Sequence, residues 1–141
     1  MKMKIIKTVT FLALVLISVS ACNTEKKGDS SNEANTGTAE ITFNELEYNF
    51  GKITEGEKVA CIFKYRNTGD GDLIINTATT SCGCTVPRFD NKPIKPGNEG
   101  SMEVVFDSSH REGVQTKTIT VRSNARVKVV VLRIIAEVIK E

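Results

Sequence analysis

The sequence predicts an all-β domain, an immunoglobulin-like β-sandwich of about seven strands, set behind an export signal and a flexible linker. Three observations predict it. Apolar and polar residues alternate with a period of two from Ile41 to Ile139, and helical periodicity is absent. Clusters of Gly, Pro, Asn and Asp interrupt that alternation at short spacing. The segment Asn23–Ala39 holds no large apolar side chain that a core could use.

Residues 1–21 read as a processing signal, outside any fold reasoning. Lys2, Lys4 and Lys7 form a positive start, and Val9–Ile17 is an apolar run broken only by Thr10. A bilayer span needs roughly 20 apolar residues, more than this run supplies. Val19-Ser20-Ala21-Cys22 resembles the bacterial lipobox, in which the cysteine thiol receives a diacylglycerol before cleavage makes it residue one. Lipidation is therefore expected at Cys22, with acyl chains such as palmitate; two or three chains anchor stably where one binds only marginally. Asn23, in place of aspartate after the cysteine, favours the outer membrane over the inner one by analogy with enteric bacteria. The expected location is the cell envelope, with the domain in the periplasm or at the cell surface.

Residues 22–39 are the lipidated cysteine and its linker. The stretch Asn23–Ala39 cannot bury enough surface to offset the entropy of ordering. As a flexible coil it would reach on the order of 20–25 Å.

Residues 40–141 suffice for one core. Ile41–Phe43 and Leu46–Phe50 supply the first two short strands. Lys58–Arg66 places Val59, Cys61, Phe63 and Tyr65 on one face, and Asn67-Thr68-Gly69-Asp70-Gly71 turns the chain with residues that tolerate positive φ. Leu73–Thr80 is the next strand. Pro96-Gly97-Asn98-Glu99-Gly100 marks a turn before Met102–Phe106, and Gly113 precedes a Thr-rich strand through Val121. In Val127–Ile139, one face is wholly apolar (Val130, Leu132, Ile134, Ala136, Val138) and the other half apolar. Such a strand belongs inside a sheet, because an exposed edge of that kind would aggregate.

Charge narrows the function. The formal +2 disappears on processing: of 19 Lys and Arg, three lysines leave with residues 1–21, so 16 face 17 Asp and Glu. No Lys/Arg cluster offers the basic footprint of nucleic-acid binding. No Cys-x-x-Cys-His, phosphate-binding glycine loop or Gly-x-Ser-x-Gly is present. No catalytic residue and no cofactor are expected.

The cysteines carry the remaining chemistry. Cys61 shares its strand face with Phe63 and Tyr65 and behaves as a small buried apolar residue. Cys82-Gly83-Cys84 sits where a strand ends, in a compartment where thiols pair. Three readings stay open. Cys82 and Cys84, or one of them with Cys61, form a structural disulfide, Gly83 allowing the bend. Or the pair exchanges with partner thiols, although no Cys-x-x-Cys opens a helix here. Or two thiolates capture a soft metal ion, with Cys61 and His110 completing a Cys₃His set. His110 lies in the polar loop Asp107–Gly113, where a lone histidine is usually solvated.

Tyr48-Asn49-Phe50-Gly51-Lys52-Ile53, Gly56-Glu57, Phe63-Lys64-Tyr65-Arg66-Asn67-Thr68-Gly69, Ser81-Cys82-Gly83-Cys84-Thr85, Pro93-Ile94-Lys95-Pro96-Gly97 and Ser123-Asn124 resemble, over nearly all of residues 41–139, the domain-of-unknown-function family numbered 1573. That family is widespread in exported proteins of Bacteroidetes-like bacteria, and Cys82-Gly83-Cys84 matches its signature. The resemblance implies a fold similar to the immunoglobulin-like domains of major sperm protein and of the abnormal-spindle and hydin group. The expected function is a membrane-anchored, non-catalytic binding or scaffolding module for a protein or envelope polymer; the alternative is a thiol-redox or soft-metal-binding lipoprotein using Cys82 and Cys84.

Overall fold

Strands with one apolar face must bury it against another layer, and in an all-β chain that layer is a second sheet. The computed structural model describes residues 37–140 and builds two such sheets. The strands are β1 (Ile41–Phe43), β2 (Glu47–Thr54), β3 (Lys58–Asn67), β4 (Ile75–Thr80), β5 (Thr85–Phe89), β6 (Glu99–Asp107), β7 (Gly113–Ser123) and β8 (Val129–Ile139). Sheet A has the order β1-β3-β6-β5, and sheet B the order β2-β8-β7-β4. All neighbours run antiparallel except β2 and β8, which are parallel. No helix occurs among the described residues.

The period-two pattern sets the inner faces. Cys61, Phe63 and Tyr65 of β3 and Met102, Val104 and Phe106 of β6 meet Ile119 and Val121 of β7 and the alternate residues Leu132–Val138 of β8, all buried. Each fully buried side chain of this size contributes about 1.5–3 kcal/mol. β8 lies inside sheet B between β2 and β7, which explains its half-apolar second face.

Eight strands are present among the described residues, one more than the sequence suggested. The addition is β5, whose Pro87 argues against a strand interior; as an edge strand it tolerates the proline. β2 also runs four residues further than Leu46–Phe50 indicates. A register shift between Asn49 and Lys52, with Gly51 at φ 71°, carries the strand past the glycine.

The start of the domain needs a second correction. The sequence places Thr38 and Ala39 in the linker, yet they are built into the fold. The Thr38 N–H donates to Asp70 Oδ1 at 2.7 Å, and the Thr38 carbonyl accepts from Asp70 N–H at 3.1 Å. Ala39 is 3% exposed, and its carbonyl accepts from Arg126 N–H at 2.9 Å. The glycines of the 67–71 turn make room for this segment. A Cβ at Gly69 would lie 2.2 Å from the Thr38 carbonyl oxygen, and one at Gly71 would lie 2.0 Å from that of Gly37. Neither glycine has positive φ, so close approach of the main chain, rather than the turn conformation, demands them.

Asn67 ties this end together. It is fully buried, and its side-chain amide donates to the carbonyls of Gly71 (2.7 Å) and Ile94 (2.8 Å). Its Oδ1 accepts from Gly69 N–H at 3.1 Å.

Candidate functional site

A sandwich of two open sheets leaves four strand edges, and each edge is a row of main-chain donors and acceptors. Three of the four are blunted. β1 is only three residues long. β2 is bulged and carries Glu47, ion-paired to Arg133 at 3.0 Å, and Lys52. Its last residue is also occupied: the Glu57 carboxylate accepts from Thr54 N–H at 3.0 Å, and the Ser108 hydroxyl donates to Thr54 C=O at 2.9 Å. In β5, Asp107 N–H donates to Cys84 C=O at 2.9 Å. Antiparallel alternation then turns the main chain of Thr85, Pro87 and Phe89 towards the free edge. Pro87 therefore sits where its missing N–H deprives an incoming strand of a donor.

β4 differs. After a register shift between Ile75 and Thr77, Thr77-Ala78-Thr79-Thr80 pairs regularly with β7 and contains neither charge nor proline. Ser81 N–H donates to Thr118 C=O at 3.2 Å, which by the same alternation turns the main chain of Ala78 and Thr80 outwards.

The chain passes from β4 in sheet B to β5 in sheet A through Ser81–Cys84. Cys82 and Cys84 are joined by a disulfide with Cα atoms 5.4 Å apart. The path is also fixed by hydrogen bonds. The Thr80 hydroxyl is shared between the carbonyls of Cys82 (2.7 Å) and Thr85 (3.0 Å), and the Ser81 and Asp107 main-chain bonds pin both ends. Closing so short a loop removes only on the order of 1–2 kcal/mol of chain entropy. A shallow groove of about 250 Å³ runs beside the hairpin, lined by Lys58, Gly83, Cys84, Val86, Arg88 and Asp107 among others. Lys58 pairs with Asp107 at 3.1 Å and Arg88 with Glu103 at 3.4 Å. Asp107 is held as a carboxylate, its pKa lowered to about 2 by hydrogen bonds from Ser109 and then Lys58. The sequence places Lys58 on the outer face of its strand but gives neither Lys58 nor Arg88 a place at a site; Arg88 lies in β5, where five residues around Pro87 hold no clear signal.

Cys61 stands apart from this hairpin. It is 5% exposed, and burial, then the Glu45 carboxylate, pushes its thiol up to about 11. The register places Cys61 opposite Val104 and Val104 opposite Pro87. Two strand spacings and three residues of rise separate Cys61 from Cys84 by roughly 14 Å, well beyond disulfide reach. His110 is exposed on the β6–β7 connection with φ 59°. No three His, Cys, Asp or Glu side chains converge as a metal set among the described residues, so the Cys₃His arrangement is not assembled. Cys22 lies outside the described residues.

Away from the hairpin, a wider open cleft of about 690 Å³ is lined by Tyr65, Phe89 and Ile94 together with Arg88, Asp90 and Glu99. Its charges are of both signs and select no ligand class.

Two four-stranded sheets packed face to face, with one parallel pair, define an all-β sandwich of the immunoglobulin-like, PapD-like kind. Within that class, the chain belongs to the family described as protein of unknown function (DUF1573), whose model matches residues 41–138. No curated protein sequence matches the chain. Among solved structures it is similar to a protein of unknown function from Porphyromonas gingivalis W83, with 20% identity and TM-score 0.61 over 79% of this chain and 51% of that one. It is also similar to the ASH/PapD-like domain 7 of human CEP192, with 8% identity and TM-score 0.62 over 74% of this chain and 88% of that one. The secreted serine protease VesC from Vibrio cholerae is a third likeness, with 8% identity and TM-score 0.54 over 70% of this chain and 23% of that one. The chain thus spans about half the length of the Porphyromonas protein and under a quarter of VesC. At these identities the likeness establishes the fold alone.

Proposed function

We propose that the protein is a lipid-anchored envelope module that binds a partner polypeptide by adding one of its extended segments to β4. The observation that carries this reading is the contrast among the four edges: three are shortened, bulged, charged or blocked by proline, and Thr77–Thr80 is not. An edge of that kind satisfies its outward N–H and C=O groups best with another main chain, which supplies affinity, while alternate side chains supply specificity. The anchor is Cys22, supported by the lipobox-like Val19-Ser20-Ala21-Cys22.

Pull-downs from envelope extracts test it. A partner retained by the wild-type protein should be lost with Thr79→Lys, which charges the edge. It should also be lost with Ala78→Pro, which removes an outward donor without breaking a bond to β7. Thr116→Lys on the outer face of β7 should retain it. Recovery of the same proteins by all four, with each variant folded, would sink the reading.

A further inference from the structure

We propose that the Cys82–Cys84 disulfide is a thiol-exchange site that trades two electrons reversibly with a dithiol on a protein or small molecule. The inference goes beyond strand binding and stands without it. Three observations converge on this hairpin.

The first is that the disulfide is dispensable to the path of the chain. Thr80, Ser81 and Asp107 hold Ser81–Thr85 through four hydrogen bonds to main-chain atoms, none of which involves sulfur. Breaking the S–S bond leaves these in place, so both redox forms fit the same fold. The second is access. Gly83 is exposed, a Cβ there would meet nothing within 4 Å, and the groove beside Cys84 has room for an incoming side chain. The third is isolation of the couple. Cys61 is buried in the core with a thiol that resists ionisation, so it neither attacks the pair nor competes for the incoming thiol.

Cys84 lines the groove and Cys82 does not, which sets the order of events. A substrate thiolate attacks Cys84 Sγ. The bond to Cys82 breaks, and Cys82 leaves as a thiolate that takes up a proton. The second substrate thiolate then attacks the substrate sulfur of the mixed disulfide, expelling Cys84 as a thiolate that is protonated in turn. The substrate dithiol becomes a disulfide, the hairpin becomes two thiols, and two electrons have moved. The reverse exchange with a substrate disulfide restores the starting state.

The test uses the full mature chain in detergent, equilibrated with buffers of reduced and oxidised glutathione, quenched with acid and alkylated for mass analysis. The expected result is a graded passage of Cys82 and Cys84 between disulfide and dithiol, with the near-ultraviolet circular dichroism of the native fold retained and Cys61 unmodified. A disulfide that stays oxidised until denaturant is added, or whose reduction unfolds the domain, overturns the proposal. Single variants check the order. Cys82→Ser should leave Cys84 forming a mixed disulfide with oxidised glutathione at least tenfold faster than Cys82 does in Cys84→Ser. The opposite ranking overturns the assignment of Cys84 as the attacked sulfur.

Discussion

Asn67 looks in the sequence like the first residue of a turn, and in the structure it is a buried hub. Its side chain bonds four main-chain groups from three segments: the Gly71 and Ile94 carbonyls and the Gly69 and Glu40 N–H groups. Removing it leaves those groups unsatisfied away from water, at about 1–3 kcal/mol for each buried group so stranded. Asn67→Ala should therefore lower the unfolding free energy by about 2–4 kcal/mol in urea titrations, and Asn67→Asp should not rescue it, because a carboxylate cannot donate to two carbonyls. Gly69→Ala acts through space: its Cβ would displace Thr38–Ala39, so that segment should lose its amide-exchange protection. Two titrating groups give opposite pH dependences. The Asp107 carboxyl is lowered from 3.8 to about 2 in the fold, so its contribution is present above pH 4 and is lost as pH falls towards 2. Asp107→Asn should flatten that part of the acid stability curve. The Cys61 thiol is raised from 9.0 to about 11, so its contribution is present below pH 9 and disappears as pH rises to 11. Cys61→Ala should reduce the alkaline slope, with Tyr65, also raised by burial, supplying the rest, read by the same urea titrations between pH 8 and 11.

Strands with strong alternation were legible in the sequence because burial on one face writes a period of two. β3, β6 and β8 carry it, and each lies in the interior of its sheet. β5 was not legible, since five residues around a proline hold too little pattern, and an edge strand is not required to bury both faces. The continuation of β2 through Gly51 was hidden by the same bulge that lets it pass. At the candidate site, the cysteine motif was visible and its surroundings were not. The distance of Cys61 from it, and the hydrogen bonds that brace the hairpin, depend on strand order, which no local pattern encodes. Because those bonds hold the β4–β5 crossing, replacing both Cys82 and Cys84 with serine should cost only on the order of 1–2 kcal/mol, measured as a small shift of the urea midpoint with an unchanged slope.

At the scale of the molecule, the anchor proposed at Cys22 has its own test. Cys22→Ser should move the protein from the membrane to the soluble fraction of the envelope, as followed by fractionation and immunoblot. Retention in the membrane would count against lipidation at that residue. The parallel pairing of β2 with β8 also governs when the domain can form. β8 stands between β2 and β7, so until it arrives sheet B is only the β7–β4 pair and β2 has no neighbour. A portion of the domain that ends before β8 lacks the strand that supplies Leu132, Ile134, Ala136 and Val138 to the core. A chain emerging from its amino end cannot complete sheet B until β8 follows, and such non-local pairing folds slowly. The same strand order therefore leaves β2 unpaired, and the inner face of sheet A without half of its cover, until β8 has come.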